Sequence, residues 1–223
     1  MIIIMLGAPG TGKGTVGSLL SQKLKIPHIS SGEIFRSYIN NDTEIGKQVK
    51  EYVSEGKLVP DELTIQLLEK RLNESDTKKG CILDGYPRTV LQAESLDKLL
   101  KKQNRKVSVA VNLSLSDDEI VDRIIKRRTC PNPDCREIYN VDFKRPKVDG
   151  ICDKCGTKLI IREDDNEVTV RKRLENYHNF SENLIDFYKN KDILYTVKLN
   201  NESNSVSTDI SKEIEDYLKN RGE

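Results

Sequence analysis

The run Gly7-Ala8-Pro9-Gly10-Thr11-Gly12-Lys13-Gly14-Thr15 constrains this chain more than any other stretch. It follows the unbroken apolar segment Met1 to Leu6 and opens an amphipathic stretch over 13–24. An apolar run of that length, rich in isoleucine, reads as a strand buried on both faces. Glycines between such a strand and a helix let backbone N–H groups converge, and the helix N-terminus adds its partial positive charge. Gly10, Thr11, Gly12, Lys13, Gly14 and Thr15 thus form a phosphate-binding loop, with Lys13 reaching the distal phosphates of a nucleotide. The strict pattern has Ser or Thr directly after the lysine; here Gly14 stands there and Thr15 follows.

Further apolar runs at 27–29, 81–84, 107–113 and 193–199 join 2–6 as strand candidates. Between and after them lie helical stretches at 13–24, 32–54, 61–74, 89–102, 116–128, 167–189 and 206–220. This alternation predicts an α/β fold, a parallel sheet covered by helices on both faces. Two segments exceed a simple crossover. Residues 30–59 hold a helical pair ahead of Pro60, and 129–165 is an insertion rich in Pro, Gly, Cys and charge, too long for an ordinary loop. The polar segment 200–205 reads as a loop before the last helix.

Lys plus Arg (37) and Asp plus Glu (36) nearly cancel, so no global basic field points to nucleic acid. The N-terminal apolar run is too short to span a membrane and lacks the basic flank of a signal peptide, which predicts a cytoplasmic protein.

Cys130-Pro-Asn-Pro-Asp-Cys135 and Cys152-Asp-Lys-Cys155-Gly156 pair four of the five cysteines. Two such turns suit a tetrahedral, closed Zn²⁺ site, with Cys130, Cys135, Cys152 and Cys155 as ligands. Two disulfides or an iron ion are the rival readings. Cys81, alone in an apolar run, reads as a small buried hydrophobe.

Asp84-Gly85-Tyr86-Pro87-Arg88-Thr89, ending a strand candidate, resembles a signature of adenylate kinases and related nucleoside monophosphate kinases. The resemblance extends over nearly the whole chain. It runs through Ser30-Ser31-Gly32-Glu33 with Arg36, Gly56-Lys57-Leu58-Val59, Gln92 and Val121 to Arg128, then Arg162 to Asp165 and Val170 to Leu174. It implies a P-loop NTPase-type core of five parallel strands built from 1–29, 60–128 and 166–223. A helical NMP-binding region at 30–59 and a zinc-ribbon-like lid at 129–165 complete it.

The resemblance further implies ATP and AMP as substrates, Mg²⁺ with the ATP, and a monomer. It gives Lys13, Arg88, Arg123, Arg162 and Arg173 the transferring phosphoryl, and Arg36 and Arg88 the AMP phosphate. Arg123 and Arg127 fall on the ATP side. The AMP pocket would take Ser31, Gly32, Arg36, Lys57, Leu58, Val59, Gly85, Tyr86, Arg88, Gln92, Arg162 and Arg173, with Gln92 at the adenine edge. Asp84 would hold Mg²⁺ through water. Arginine suits such work because its planar fork meets phosphate with paired, charge-assisted hydrogen bonds. Read alone, Arg123 and Arg127 are equally solvated decoration on one face, at i, i+4, of a helix opened by the capping box Ser116 to Glu119.

Ile138 and Tyr139 are candidates for the ATP base, and Tyr139 reads equally as lid packing. Asp164 and Asp165 read either as lid-hinge carboxylates or as a solvated acidic turn. His28 and His178 fall outside every motif; AMP phosphate is already anionic, so no general base is required. Relatives preferring pyrimidine monophosphates have much shorter lids, which favours AMP. The family's glycine-containing turn after the last strand is replaced by Leu199-Asn200-Asn201-Glu202. A nucleic-acid-reading ribbon is the competing class. It predicts a basic insertion, whereas Arg136, Lys144, Arg145 and Lys147 here mix with Asp134, Glu137, Asp142 and Asp149.

Overall fold

The structure is a computed structural model that describes residues 1–199 and 206–222. The loop expected at 200–205 and the turn after Leu199 lie outside the described residues. Strand β1 (Ile2–Gly7) is the centre of the sheet, followed by helix α1 (Lys13–Leu24), β2 (His28–Ser30), α2 (Ser31–Asn40) and α3 (Glu44–Ser54). Then come α4 (Asp61–Leu72), β3 (Cys81–Asp84), α5 (Val90–Lys102), β4 (Val109–Ser114) and α6 (Asp117–Ile125). The chain continues through β5 (Arg127–Thr129), β6 (Ile138–Asn140), α7 (Glu167–Lys189), β7 (Leu194–Lys198) and α8 (Val206–Asn220).

Five parallel strands run in the order β2-β3-β1-β4-β7, with Ile3 opposite both Ile82 and Val109. β2 and β3 lie on one side of β1 and β4 and β7 on the other, so the crevice at its carboxyl end is a topological switch point, where open α/β sheets bind ligands. Alternation along β1 divides the core. Ile2, Ile4 and Leu6 pack with Leu68, Leu96, Leu100 and Tyr188, while Ile3 and Met5 pack with Val16, Leu20, Ile214 and Leu218 on the other face. Burial of each of these side chains contributes roughly 1.5–3 kcal/mol. Cys81 is fully buried, and burial pushes its thiol up to about 11.

The expected helix over 116–128 is shorter. It starts as the sequence indicates, with the Ser116 N–H donating to Glu119 Oε2 at 3.2 Å, but ends at Ile125. Arg127 therefore does not share a helix face with Arg123. It sits on β5, where Arg127 pairs with Asn140 and Arg128 with Tyr139. The Asn140 side-chain amide donates to the Arg123 carbonyl at 3.1 Å, so the partner strand satisfies an acceptor that the ending helix leaves open. Tyr86 is expected at the AMP pocket through its backbone, and its side chain turns inward. It is a core side chain, 1% exposed, with its hydroxyl on the Gln92 carbonyl.

The pair α2 and α3 is tied at its turn. Thr43 caps α3 by accepting from Gly46 N at 2.9 Å and donates to the Tyr38 carbonyl at 3.0 Å. This brings the two backbones so close that a Cβ on Gly46 would stand 2.1 Å from Tyr38 O. Gly46→Ala is thus expected to destabilise the protein by roughly 1–3 kcal/mol, as overpacking does. Urea unfolding measures this; an unchanged midpoint would show that the helices can separate freely.

Candidate active site

A cleft of 1080 Å³ opens at the carboxyl ends of β1 and β3, roofed by the 129–165 insertion. Its floor is the glycine-rich loop. Gly12 caps α1 in the left-handed conformation (φ 91°), open to a glycine and unfavourable with a Cβ. Gly10 is required for a different reason: a Cβ there would meet the Ile124 side chain at 2.8 Å, so the loop packs directly on α6. Lys13 Nζ donates to the Gly7 and Ala8 carbonyls, each at 2.7 Å. Withdrawal from solvent, only partly offset by Asp84, pushes this ammonium down to about 8, and the Arg88 and Arg127 charges add to the effect.

Asp84 ends β3 beside the loop, its Oδ2 within 3.6 Å of His28 Nε2. Burial raises the Asp84 carboxyl, but the His28 ring, Lys13 and Arg88 outweigh it and hold the group below the usual carboxylate range. An ionised carboxylate facing the phosphate loop suits a hydrated hard cation such as Mg²⁺. His28 lines the same cleft, although no motif marked it. His178 instead pairs with Asp117 at 2.9 Å on the surface.

The turn after Asp84 organises the far wall. The Gly85 carbonyl accepts from Ser31 Oγ at 2.7 Å and from Arg88 Nε at 2.9 Å. Gln92, 2% exposed, accepts from the Arg88 N–H at 2.8 Å and donates to Asp61 Oδ1 at 2.7 Å. Asp61 also receives Thr89 Oγ1 at 2.9 Å, so one carboxylate fixes the amide orientation of Gln92. The sequence shows Asp61 only as a first-turn acid of α4; nothing local joins it to a residue 31 positions later. Gly32, Arg36, Lys57, Leu58 and Val59 line the same end of the cleft, with Gly56 packed against Thr169 and Arg173 of α7.

Cationic side chains crowd the space between. Burial lowers the guanidinium of Arg36, which Arg127 and Arg173 repel, and that of Arg88, which Arg173 and Arg36 repel. Burial together with Arg127 and Arg36 pushes Arg162 down to about 10. The acids at 164 and 165 are therefore no solvated turn. Asp164 is bound to Arg173, and Asp165 receives Arg127 through Nε at 2.9 Å and through Nη2, with both carboxylates buried. Arg123 lies apart from this cluster, over the half-exposed Phe143 ring at 5.4 Å. Both arginines line the cleft, Arg127 beside Lys13, Arg36 and Arg162 and Arg123 against Phe143. Ile138 and Tyr139 both border the cleft, and Tyr139 is only 3% exposed. The Tyr139 hydroxyl accepts from the Asp153 N–H at 2.7 Å within the insertion, which is lid packing.

The sulfurs of Cys130, Cys135, Cys152 and Cys155 all lie within 4.8 Å of one another. Cys130 and Cys155 are 3.4 Å apart and Cys135 and Cys152 3.6 Å, far beyond a disulfide bond. Four thiols closing on a common centre match a tetrahedral thiolate site with metal–sulfur bonds of about 2.3 Å. Among the described residues this is the only such cluster.

A phosphate loop facing a ring of arginines, with a second polar pocket across from it, is the arrangement of a nucleoside monophosphate kinase. The adenylate kinase family profile matches residues 5–193, and this chain belongs to that family. It is 48% identical over 197 residues to the adenylate kinase of Acetivibrio thermocellus, covering 88% of this chain and 90% of that protein. The Clostridium tetani adenylate kinase is 46% identical, covering 95% and 97%, and that of Archaeoglobus fulgidus 47%, covering 88% and 90%.

The Lys13 shift has a pH consequence. Free Lys13 is charged below about 8 and neutral above it, and bound phosphate would restore the proton. Nucleotide binding then takes up a proton at higher pH. Affinity for ATP is expected to hold from pH 6.5 to 7.5 and to weaken by up to about tenfold per unit above 8. Titration calorimetry across this range checks it, with Lys13→Met expected to give a flat profile.

Proposed function

We propose that this chain carries out the reversible reaction ATP + AMP = 2 ADP by in-line phosphoryl transfer, with the residues above in the following roles. The observation that carries the reading is the convergence of Lys13, Arg36, Arg88, Arg127, Arg162 and Arg173 on one cleft whose floor is a phosphate loop. Transfer of a phosphoryl group needs two polyanions aligned and their charge neutralised, and little else from the protein. Lys13 and the amides of Gly10 to Thr15 hold the ATP phosphates. Arg36 and Arg88 hold the AMP phosphate, with Arg127, Arg162 and Arg173 around the migrating group. Arg123 and the Phe143 ring are in contact at 5.4 Å, and their planar faces suit stacking of a base against the pair.

The AMP base is read by Gln92, already oriented by Asp61, with Ser31 and the 57–59 backbone lining the pocket. The working parts are a P-loop core (1–29, 60–128 and 166–223), an NMP-binding region (30–59) and a lid (129–165). The lid excludes water that would compete for the phosphoryl group. Mg²⁺ placed through water on Asp84 would neutralise the ATP phosphates. Zn²⁺ on Cys130, Cys135, Cys152 and Cys155 would rigidify a lid whose own apolar core is only a handful of residues. The near-neutral charge and mixed-sign lid support an enzyme without a nucleic-acid partner, and we place it in the cytoplasm as a monomer. No helix among the described residues is long and apolar enough to cross a membrane.

The test is diphosphate formation from Mg²⁺-ATP with AMP, GMP, CMP, UMP or dTMP. Rapid turnover is expected with AMP alone, with kcat reduced about 10²- to 10³-fold in Lys13→Ala. Turnover mainly with another monophosphate would overturn the AMP assignment and keep the mechanism; none with any would overturn the kinase reading. Metal analysis is expected to find one zinc per chain. Cys152→Ser should lose it and lower the melting temperature by roughly 2–4 °C per kcal/mol of lid stability lost.

A further inference from the structure

The two metal knuckles differ at equivalent positions. Each ends with a residue in the left-handed region directly after its second cysteine: Gly156 (φ 73°) after Cys155, and Arg136 (φ 51°) after Cys135. The turns are closed alike, by Gly156 N to Cys152 O at 2.9 Å and Arg136 N to Asn132 O at 3.0 Å. Glycine adopts this conformation freely, whereas a residue with a Cβ does so at a cost. A long arginine therefore occupies a place where the backbone favours glycine, and its side chain shows what is gained. Arg136 Nη1 donates to Glu33 Oε2 at 2.6 Å, joining the insertion to the first turn of α2 across 103 residues of sequence. That turn presents Ser31 and Gly32 to the cleft, Arg36 follows in the next turn, and Glu33 is itself an electrostatic partner of Arg36. The ion pair lies on the partition between the main cleft and a side cavity of 540 Å³, and both of its residues line both spaces.

We infer that Arg136 is a positioning residue that clasps the lid to α2 through Glu33, so that closure over the ATP side also steadies the AMP pocket. At one end the clasp is bonded to a metal-ligand cysteine; at the other it is one turn from Arg36. The pair is partly exposed, at 52% and 31%, so its strength is that of a surface ion pair and its effect is a modest, salt-sensitive coupling. This inference rests on the ATP and AMP assignments above.

The experiment measures AMP affinity with and without a non-hydrolysable ATP analogue. Wild type is expected to bind AMP more tightly when the analogue is present. Arg136→Gly, which suits the knuckle backbone and keeps the four cysteines, should reduce that enhancement about two- to fivefold and leave binding of AMP alone unchanged. Glu33→Gln should reduce the enhancement similarly, the double variant no further, and Arg136→Lys should restore part of it. Full enhancement in Arg136→Gly, or strictly additive losses in the double variant, would overturn the clasp. A readout independent of AMP is amide exchange with the analogue alone. Protection of the first turn of α2 should be present in wild type and absent in Arg136→Gly, with lid protection kept in both. Equal α2 protection in the two proteins also overturns it. Loss of lid protection in wild type would instead sink the ATP assignment.

Discussion

The crowding of like charge in the cleft is the constraint on which the rest of the structure depends. Lys13, Arg36, Arg88, Arg127, Arg162 and Arg173 repel one another across a partly buried space, and burial and mutual repulsion lower the proton affinity of Lys13, Arg36, Arg88 and Arg162. Such a set can be held only by fixed counter-charges, and the fold supplies them from different elements. Asp84 comes from a sheet strand, Asp164 and Asp165 from the segment entering α7, and Glu33 from α2. The acids hold the arginines without saturating them. A polyphosphate entering the cleft is therefore met by oriented donors, and the reorganisation cost that water would impose has already been met in folding.

The same logic underlies the base recognition proposed above. A buried amide with free rotation could offer either its oxygen or its nitrogen to a ligand. Gln92 has no such freedom, because the Arg88 N–H holds its oxygen and Asp61 holds its nitrogen. Its second N–H and remaining lone pair keep defined directions. Arg88, whose guanidinium shares the Gly85 carbonyl with Ser31, belongs to the same network, so the phosphate grip and base reading proposed for the AMP side are mechanically joined.

Much of this was legible in the sequence because its signals were local. The phosphate loop, the buried strands, the paired cysteines and the capped starts of helices each rest on residues within a few positions of one another. What stayed hidden depended on distant partners. The end of α6 was unreadable because the pattern Ile120, Val121, Ile124, Ile125 continues into residues of good helix propensity; pairing of β5 with β6 overrides it. The separate settings of Arg123 and Arg127 follow from that single boundary. Asp61 acts on Gln92, and His28 stands beside Asp84, only once the sheet order is set. The acids at 164 and 165 could be read either as hinge carboxylates or as a solvated turn because their partners lie nine and 38 residues away.

That boundary also alters the part played by the metal knuckles. Arg127 is aimed by three constraints: the end of α6, the backbone pairing of β5 with β6, and the two-pronged grip of Asp165. The second belongs to the insertion, since β6 lies between the two cysteine pairs and Tyr139 on it packs against Cys152. Thr129 further pairs with Ile160 at the far edge of the same unit. If the insertion loosens, β5 loses its partner, Asn140 leaves the open carbonyl of α6, and the buried Asp165 risks losing its only two-pronged cation. An unpaired buried carboxylate costs several kcal/mol, so Arg127 and the insertion stand or fall together. A metal held by these four cysteines, with no open position for a substrate, would thereby control the direction of an arginine in the cleft through the strand it stabilises.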